Sequence, residues 1–332
     1  MSIEPETMER APGRTIVFVH GRDFKPGARE LLDLNVAALS AGLERDCPEM
    51  LIPFHSVDKR LAYYGDISNA WLRETGRHYD EQLDLGDRRH ALQELRTLQK
   101  RKHFGLSRYE RLPGKTALRE FAADVAAPVL GSIGLAGALI GRVAADVNEY
   151  WDARTDFGLR IRERLRSELV AALEEGRKTL LVSHGTGCIV AYDVLWQMSH
   201  HPDYAPHYAE MKIDQWLTLG APLGDTTVRR RVFGAQSKGR GRYPTNVLAW
   251  HNVSAEDDYL CHDNTLADDY GEMLNLRLVS NIRDYRIYNM AVRYGKSNPH
   301  SSVGYLIHPR VTKILADWLR PEGGVSVSKG IF

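Results

Sequence analysis

The stretch that decides the fold is residues 179–196, TLLVSHGTGCIVAYDVLW. Thr179, Leu180, Leu181 and Val182 form an uncharged, apolar and β-branched run, which reads as a buried strand of a parallel sheet. Ser183-His184-Gly185-Thr186-Gly187 follows, and Cys188-Ile189-Val190-Ala191-Tyr192 resumes with helical spacing. A strand that turns at once into a helix needs small residues on both sides of the turn, so that the elements pack closely and the middle residue is held out at the tip. Ser183 and Gly187 take the two small positions, His184 precedes the tip, and Gly185 occupies it. The turn therefore has the shape of one that presents a nucleophile, with no side chain at its centre.

A chain of 332 residues can form one large α/β domain with an insertion, or two small domains. Its net charge of +1 removes any bulk electrostatic case for nucleic acid or an anionic membrane, so function has to be sought in local sites. Cys47, Cys188 and Cys261 cannot all pair, and none has a second cysteine at metal-ligand spacing. Reduced thiols in a cytoplasmic setting are expected, with no metal and no cofactor. Residues 1–14 are polar and lack the apolar core of a secretory signal, and read as a tail.

Residues 15–19, TIVFV, predict a central strand that stops at His20-Gly21-Arg22-Asp23; 29–44 predict a covering helix and 60–64 a second strand. From 66 to 149 the pattern changes. Residues 87–103 are dense in charge, with Leu92, Leu95 and Leu98 at helical spacing, and 125–141 contain four glycines and no charge. The latter stretch falls just short of the roughly 18–20 apolar residues that span a bilayer, so it reads as part of a buried or site-covering helical cap, without stable membrane insertion. Contact with lipid or an acyl chain is its other reading. Residues 156–175 predict a helix, 213–219 a strand ending in Gly220-Ala221-Pro222, and 246–250 a strand running into residues 251–258. Residues 284–288 are polar enough for an edge strand, 311–319 predict the closing helix, and 321–332 a loose tail. Strands alternating with helices imply a mostly parallel sheet with helices on both faces. The expected division is a core of 15–65 and 150–320, interrupted by a cap at 66–149.

Three strand ends bear chemistry: the turn at Gly185, the pair Asp257-Asp258, and Asn298-Pro299-His300-Ser301-Ser302. In this order of nucleophile position, acid and histidine, with His20-Gly21 after the first strong strand and Leu219-Gly220-Ala221-Pro222 after a later one, the sequence resembles the α/β-hydrolase superfamily of serine esterases and lipases. The resemblance covers most of the chain outside the cap. It implies a Ser-His-Asp mechanism with Gly185 at the nucleophile position, His300 as general base and then acid, and Asp257, or Asp258 as second choice, orienting the imidazole. The oxyanion would be met by the backbone N–H groups of Arg22 and Thr186, with His20, Gly21 and His184 beside the substrate.

Glycine at 185 has no hydroxyl, so no acyl-enzyme can form there. Ser183 lies within the strand and Cys188 one helical turn inside, and neither replaces the missing group. The chain then reads as an inactivated form of a serine hydrolase, as a natural relative that binds without cleaving, or as an enzyme whose His300 and carboxylate activate water directly. The expected partner is a small-molecule carboxylic ester or related acyl compound, partly hydrophobic because of the apolar stretch in the cap, and not nucleic acid. The oligomeric state stays open. The rival from another class is a silent binding or scaffold protein on the same fold. Plainer readings stand beside these: Asp257 and Asp258 as turn residues, His300 and His20 as surface or turn polar groups. The run Arg229-Arg230-Arg231 with Lys238, Arg240 and Arg242 reads as a solvated loop, or more sharply as an anion-recognising loop at the rim of the pocket.

Overall fold

The computed structural model describes residues 13–114, 145–261 and 265–321. Strands β1 (Arg14–Val19), β2 (Asp58–Ala62), β3 (Lys178–His184), β4 (Ile213–Leu219), β5 (Val247–Ala255) and β6 (Asn281–Ile287) form one sheet in the order β2-β1-β3-β4-β5-β6. Every pairing in it is parallel. Parallel neighbours need crossover helices, and these cover both faces. Along β1, Ile16 and Phe18 enter one core while Val17 and Val19 enter the other, the two-residue alternation of a strand buried on both sides.

Helices α1 (Ala28–Asp46), α2 (Gly65–Glu74), α3 (Glu81–Arg96), α4 (Ala145–Tyr150), α5 (Phe157–Glu174), α6 (Gly187–His200), α7 (Ser302–Leu306) and α8 (Pro309–Leu319) supply the layers. α1, α3, α7 and α8 bury their apolar residues with Ile16 and Phe18; α5 and α6 bury theirs with Val17 and Val19. β5 continues five residues beyond the expected 246–250 because its polar residues find partners inside the sheet. Thr218 Oγ1 donates to Asn252 Oδ1 at 2.9 Å, and Asn252 Nδ2 donates to Asp284 Oδ1 at 2.8 Å. β6 lies at the sheet edge, where its polar pattern puts it.

The inserted stretch 66–149 is partly visible. α3 starts six residues before the expected 87, where Asp80 accepts the N–H of Leu83 at 2.9 Å and caps it, and stops at Arg96. Its Leu92 and Leu95, with Leu98, join the core under α1 and α8, while Val147 and Tyr150 of α4 join the opposite core. The described parts of the insertion thus pack on the sheet layers themselves. Residues 125–141 and the tails at 1–12 and 322–332 lie outside the described residues. Among the described residues, no helix is long and apolar enough to cross a membrane.

Strand order locates the site. The chain moves from β1 outward to β2, then returns to the other side of β1 for β3 and proceeds through β4, β5 and β6. The direction reverses between β1 and β3, and ligands of open α/β sheets bind in the crevice at the carboxyl ends of such a pair. Val19 is in register with Ser183, so His20-Gly21 and His184-Gly185 meet there.

A charged network fixes one wall of that crevice. Strands β7 (Val292–Arg293) and β8 (Lys296–Ser297) form a short hairpin, with φ positive at both Tyr294 (50°) and Gly295 (72°), as a tight two-residue turn requires. Asp84 on α3 accepts hydrogen bonds from Arg88 Nε (2.7 Å), Arg293 Nη2 (2.7 Å) and the Tyr79 hydroxyl (3.0 Å). Asp87 accepts from Arg293 Nε and from the Tyr294 N–H (2.8 Å). The inserted helix is thereby tied to the hairpin that leads into His300. Burial pushes the Asp84 carboxyl up, but the guanidinium groups of Arg88 and Arg293 outweigh it and hold the carboxyl below the usual carboxylate range. Its contribution to stability is complete above the unfolded-state pKa of ~4 and fades as pH falls through the lower folded value. Asp84→Asn is expected to cost about 3 kcal/mol near neutral pH by leaving buried Arg293 and half-buried Arg88 short of a partner. Urea unfolding at a series of pH values should show the difference from the parent chain shrinking on acidification below that pKa.

Candidate active site

The turn between β3 and α6 is built by close backbone approach. Gly185 adopts φ +55°, a left-handed conformation that costs a side-chain-bearing residue roughly 1–2 kcal/mol, and its N–H donates to the carbonyl of Leu219 at 2.9 Å. A Cβ on Gly187 would run into the His20 carbonyl, and one on Gly21 would lie 3.0 Å from the His184 carbonyl and 3.7 Å from Gly185 Cα. The loop after β1 therefore rests directly on the turn after β3. Glycine at 187 and 21 is what permits this contact.

Two further strand ends bring polar groups to the tip. His300 Nδ1 donates to Asp258, at 2.8 Å from Oδ2 and 3.0 Å from Oδ1. With its proton on Nδ1, the neutral ring carries its lone pair on Nε2. That nitrogen faces the tip: a Cβ on Gly185 would lie 2.7 Å from it. Among the described residues, no hydrogen-bond partner of Nε2 is seen. Asp258 is wholly buried and is held by two more donors, the Tyr305 hydroxyl at 2.6 Å and the Leu260 N–H at 3.1 Å. The Ala255 N–H donates to the Tyr305 oxygen at 2.8 Å, which fixes that hydroxyl in turn. Burial pushes the Asp258 carboxyl up, yet the imidazole of His300 and the hydrogen bonds overcome this and hold it below the usual range, as a carboxylate. Gly220, at φ +57°, leaves room for the pair, because a Cβ there would lie 2.7 Å from Asp258 Oδ2 and 3.1 Å from His300 Nδ1.

Asp257, expected first as the carboxylate partner, does not face His300. It forms the corner of the turn after β5 with φ +60°, and its Oδ2 accepts from the Tyr109 hydroxyl at 3.3 Å. Asp258 stands next to the imidazole instead. Adjacent residues of a sharp turn point in different directions, and no feature of the sequence separates two neighbouring aspartates.

Three other expected residues have placements that limit their roles. His20 is buried, with Nε2 accepting the Tyr64 N–H at 3.1 Å and Nδ1 donating to the Gly21 carbonyl at 2.9 Å. Its ring nitrogens are used in joining the loops after β1 and β2, and burial lowers its pKa to about 3, so it is neutral. His184 donates from Nε2 to the His300 carbonyl at 3.0 Å and packs against the His300 ring, with centroids 4.4 Å apart. Burial, followed by the neighbouring imidazole, drives its pKa well below normal. Arg22 and Thr186 both line a narrow, mainly apolar cleft of about 30 Å³, whose walls include Tyr64, Phe157 and Ile189. Tyr305, which completes the hydrogen bonding of Asp258, has no signal in the sequence beyond lying one helical turn after His300.

On the other side of the tip opens a cavity of about 430 Å³, walled by the loop after β1, α3, the β7–β8 hairpin and His300. The basic run at 229–242 does not line it. Arg229 pairs with Asp269, Arg231 donates to Asn148 Oδ1 at 2.9 Å, and the Gly241 carbonyl accepts from Trp196 Nε1 at 2.9 Å. Ser183 donates to the sulfur of buried Cys188 at 3.2 Å and accepts from Trp216 Nε1 at 2.9 Å, beneath the turn. Among the described residues, no group of three His, Cys, Asp or Glu is placed to hold a metal ion. Comparison of the chain with protein-family models, characterised proteins and solved structures finds no match. The conclusions about function therefore rest on the geometry.

Replacing Asp258 by asparagine tests the central pair. An amide at 258 would donate to Nδ1 and move the ring proton to Nε2, which removes the lone pair from the tip. Nitrogen-15 NMR of the imidazoles should show His300 as the Nδ1–H tautomer in the parent chain and as the Nε2–H tautomer in Asp258→Asn. An unchanged tautomer would mean that the carboxylate does not set it.

Proposed function

We propose that this chain is an α/β-hydrolase-type scaffold for a carboxylic ester or related acyl compound, in which the covalent step is missing and water is the only nucleophile the site can activate. The observation that supports this most is the position of His300 Nε2, 2.7 Å from where a Cβ on Gly185 would lie, while Nδ1 is held at 2.8 Å by a buried carboxylate. A water hydrogen-bonded to Nε2 would give up its proton as it attacks the acyl carbon. The imidazolium, stabilised by Asp258, would then return the proton to the leaving alcohol. The developing oxyanion would be met by the N–H groups of Thr186 and Arg22, beside the narrow cleft. Asp258 takes the orienting role expected first for Asp257.

Loss of turnover altogether is the second reading, of a protein that binds and does not cleave. It draws support from the position of His300, whose Nε2 intrudes on the volume a side chain at 185 would need. The intruding atom is the end of a side chain, so Gly185→Ser is accommodated if the ring withdraws by several tenths of an ångström.

Hydrolysis of p-nitrophenyl acetate and p-nitrophenyl decanoate separates the two. The parent chain is expected to hydrolyse the short ester slowly, with the rate abolished in His300→Ala. Gly185→Ser should raise kcat by ~10³-fold and show a burst of p-nitrophenol, since nucleophile removal from intact machinery costs up to ~10⁶. Inactivity of both the parent and Gly185→Ser towards both esters would favour the silent binding protein.

A further inference from the structure

The 430 Å³ cavity beside His300 has a polar character that neither the elbow nor the base requires. Among the described residues, five basic ones, Arg22, Lys25, Arg88, Arg293 and Lys296, line it against one acid, Asp23. They are not equivalent. Lys25 Nζ donates to the carbonyls of Arg22, Asp23 and Phe24, and Arg293 uses Nε and Nη2 on Asp87 and Asp84. Arg88 contacts Asp84 only through Nε, at 2.7 Å, and among the described residues its two terminal nitrogens meet no acceptor. Lys296 is exposed on β8, and no partner of its ammonium is seen among the described residues.

One buried neutral group in the same wall points the same way. Ser297 Oγ is buried and, among the described residues, has no hydrogen-bond partner, although leaving a buried hydroxyl unsatisfied is costly. A hydroxyl, a guanidinium end and an ammonium around one cavity are donors that an oxyanion uses, and the planar end of Arg88 suits a two-pronged contact with carboxylate or phosphate. The charge of Arg88 also reaches the deep end of the cavity, where it helps to keep His20 and His184 neutral.

Resting on the acyl-substrate reading above, we propose that the substrate carries an anionic group, a carboxylate or a phosphate, that binds in this cavity to the terminal nitrogens of Arg88 with Ser297 and Lys296, while its acyl carbon lies at the elbow. The cavity is within the range that encloses small ligands, whereas the cleft lined by Arg22 and Thr186 is far smaller, at about 30 Å³. The large, charged part of the substrate therefore lies on the His300 side.

Isothermal titration of the full chain with monoethyl succinate and diethyl succinate tests this, because the two differ in one negative charge. The monoester is expected to bind at least about tenfold more tightly, and Arg88→Gln to remove about tenfold of that affinity, as for a lost hydrogen bond to a charged group. Ser297→Ala and Lys296→Gln should each weaken it about threefold and leave the diester unaffected; they carry the test if Arg88→Gln fails to fold. Competition by inorganic phosphate or by succinate then assigns the anion. Equal binding of mono- and diester, or variants that bind the monoester like the parent, would overturn the proposal. Turnover of p-nitrophenyl acetate by Gly185→Ser reads the acyl reading separately. Turnover with no preference for the anionic ester sinks the anion site alone, and tight monoester binding with no turnover sinks the hydrolase reading alone.

Discussion

The site depends on a contact between backbones. Gly187 lies against the carbonyl of His20, and Gly21 against the turn at His184 and Gly185, because parallel pairing of β1 with β3 ends the two strands at the same level. Any Cβ at 187 would force the loop after β1 away from α6. With that separation would go the crevice at the switch in strand order, and the common position of Arg22 and Thr186 beside one cleft. Small residues around the elbow thus act before any catalytic group does. They set the distance between the two strand ends to which everything polar is referred.

Onto this frame the sheet adds charge in a controlled way. Asp258 is a carboxylate with no exposure, a state that is costly unless its oxygens are met by donors. Three donors supply them: His300 Nδ1, the Tyr305 hydroxyl and the Leu260 N–H. The same arrangement leaves His300 a single orientation, with Nε2 at the tip. Gly220 makes room for both partners, so the residues after β3, β4 and β5 work as one unit although they are far apart in sequence. What is missing is local. The turn, its support and the His300–Asp258 pair are built, and position 185 carries no side chain.

Much of this was legible in the sequence. Uncharged β-branched runs at 15–19 and 179–182 are what a strand buried on both faces requires, and alternation with amphipathic helices implied the parallel sheet. The strand end at Gly220 was visible as a motif, and His300 stood out by its order after the acids. The rest was hidden for physical reasons. Asp257 and Asp258 are chemically identical, and only the left-handed corner at Asp257 decides which of them reaches the imidazole. Tyr305 is an ordinary core aromatic until its hydroxyl is seen on Asp258. The basic run at 229–242 drew attention by its density, while Arg88 was concealed among the charges of an exposed-looking helix and Lys296 in a hairpin too short to recognise. Charge density along the chain is a weak guide to charge in a cavity, because a cavity collects residues from elements distant in sequence.

That collection also ties binding to the base. Arg293 and Lys296 belong to the hairpin that runs directly into Asn298, Pro299 and His300, and Arg293 is fastened through Asp84 to the helix that carries Arg88. An anion bound as proposed, drawing Arg88 and Lys296 together, would pull on both ends of this network. Asn289 Nδ2 donates to the Pro299 carbonyl at 2.9 Å and to the Ser301 carbonyl at 2.9 Å, which clamps the loop on either side of the imidazole. On the proposed reading, a site arranged in this way would hold a charged substrate while the loop around His300 stays clamped. The separation of the basic groups of the cavity from His300 follows from the fold: the first come from the insertion and the hairpin, the second from the sheet and its clamped loop.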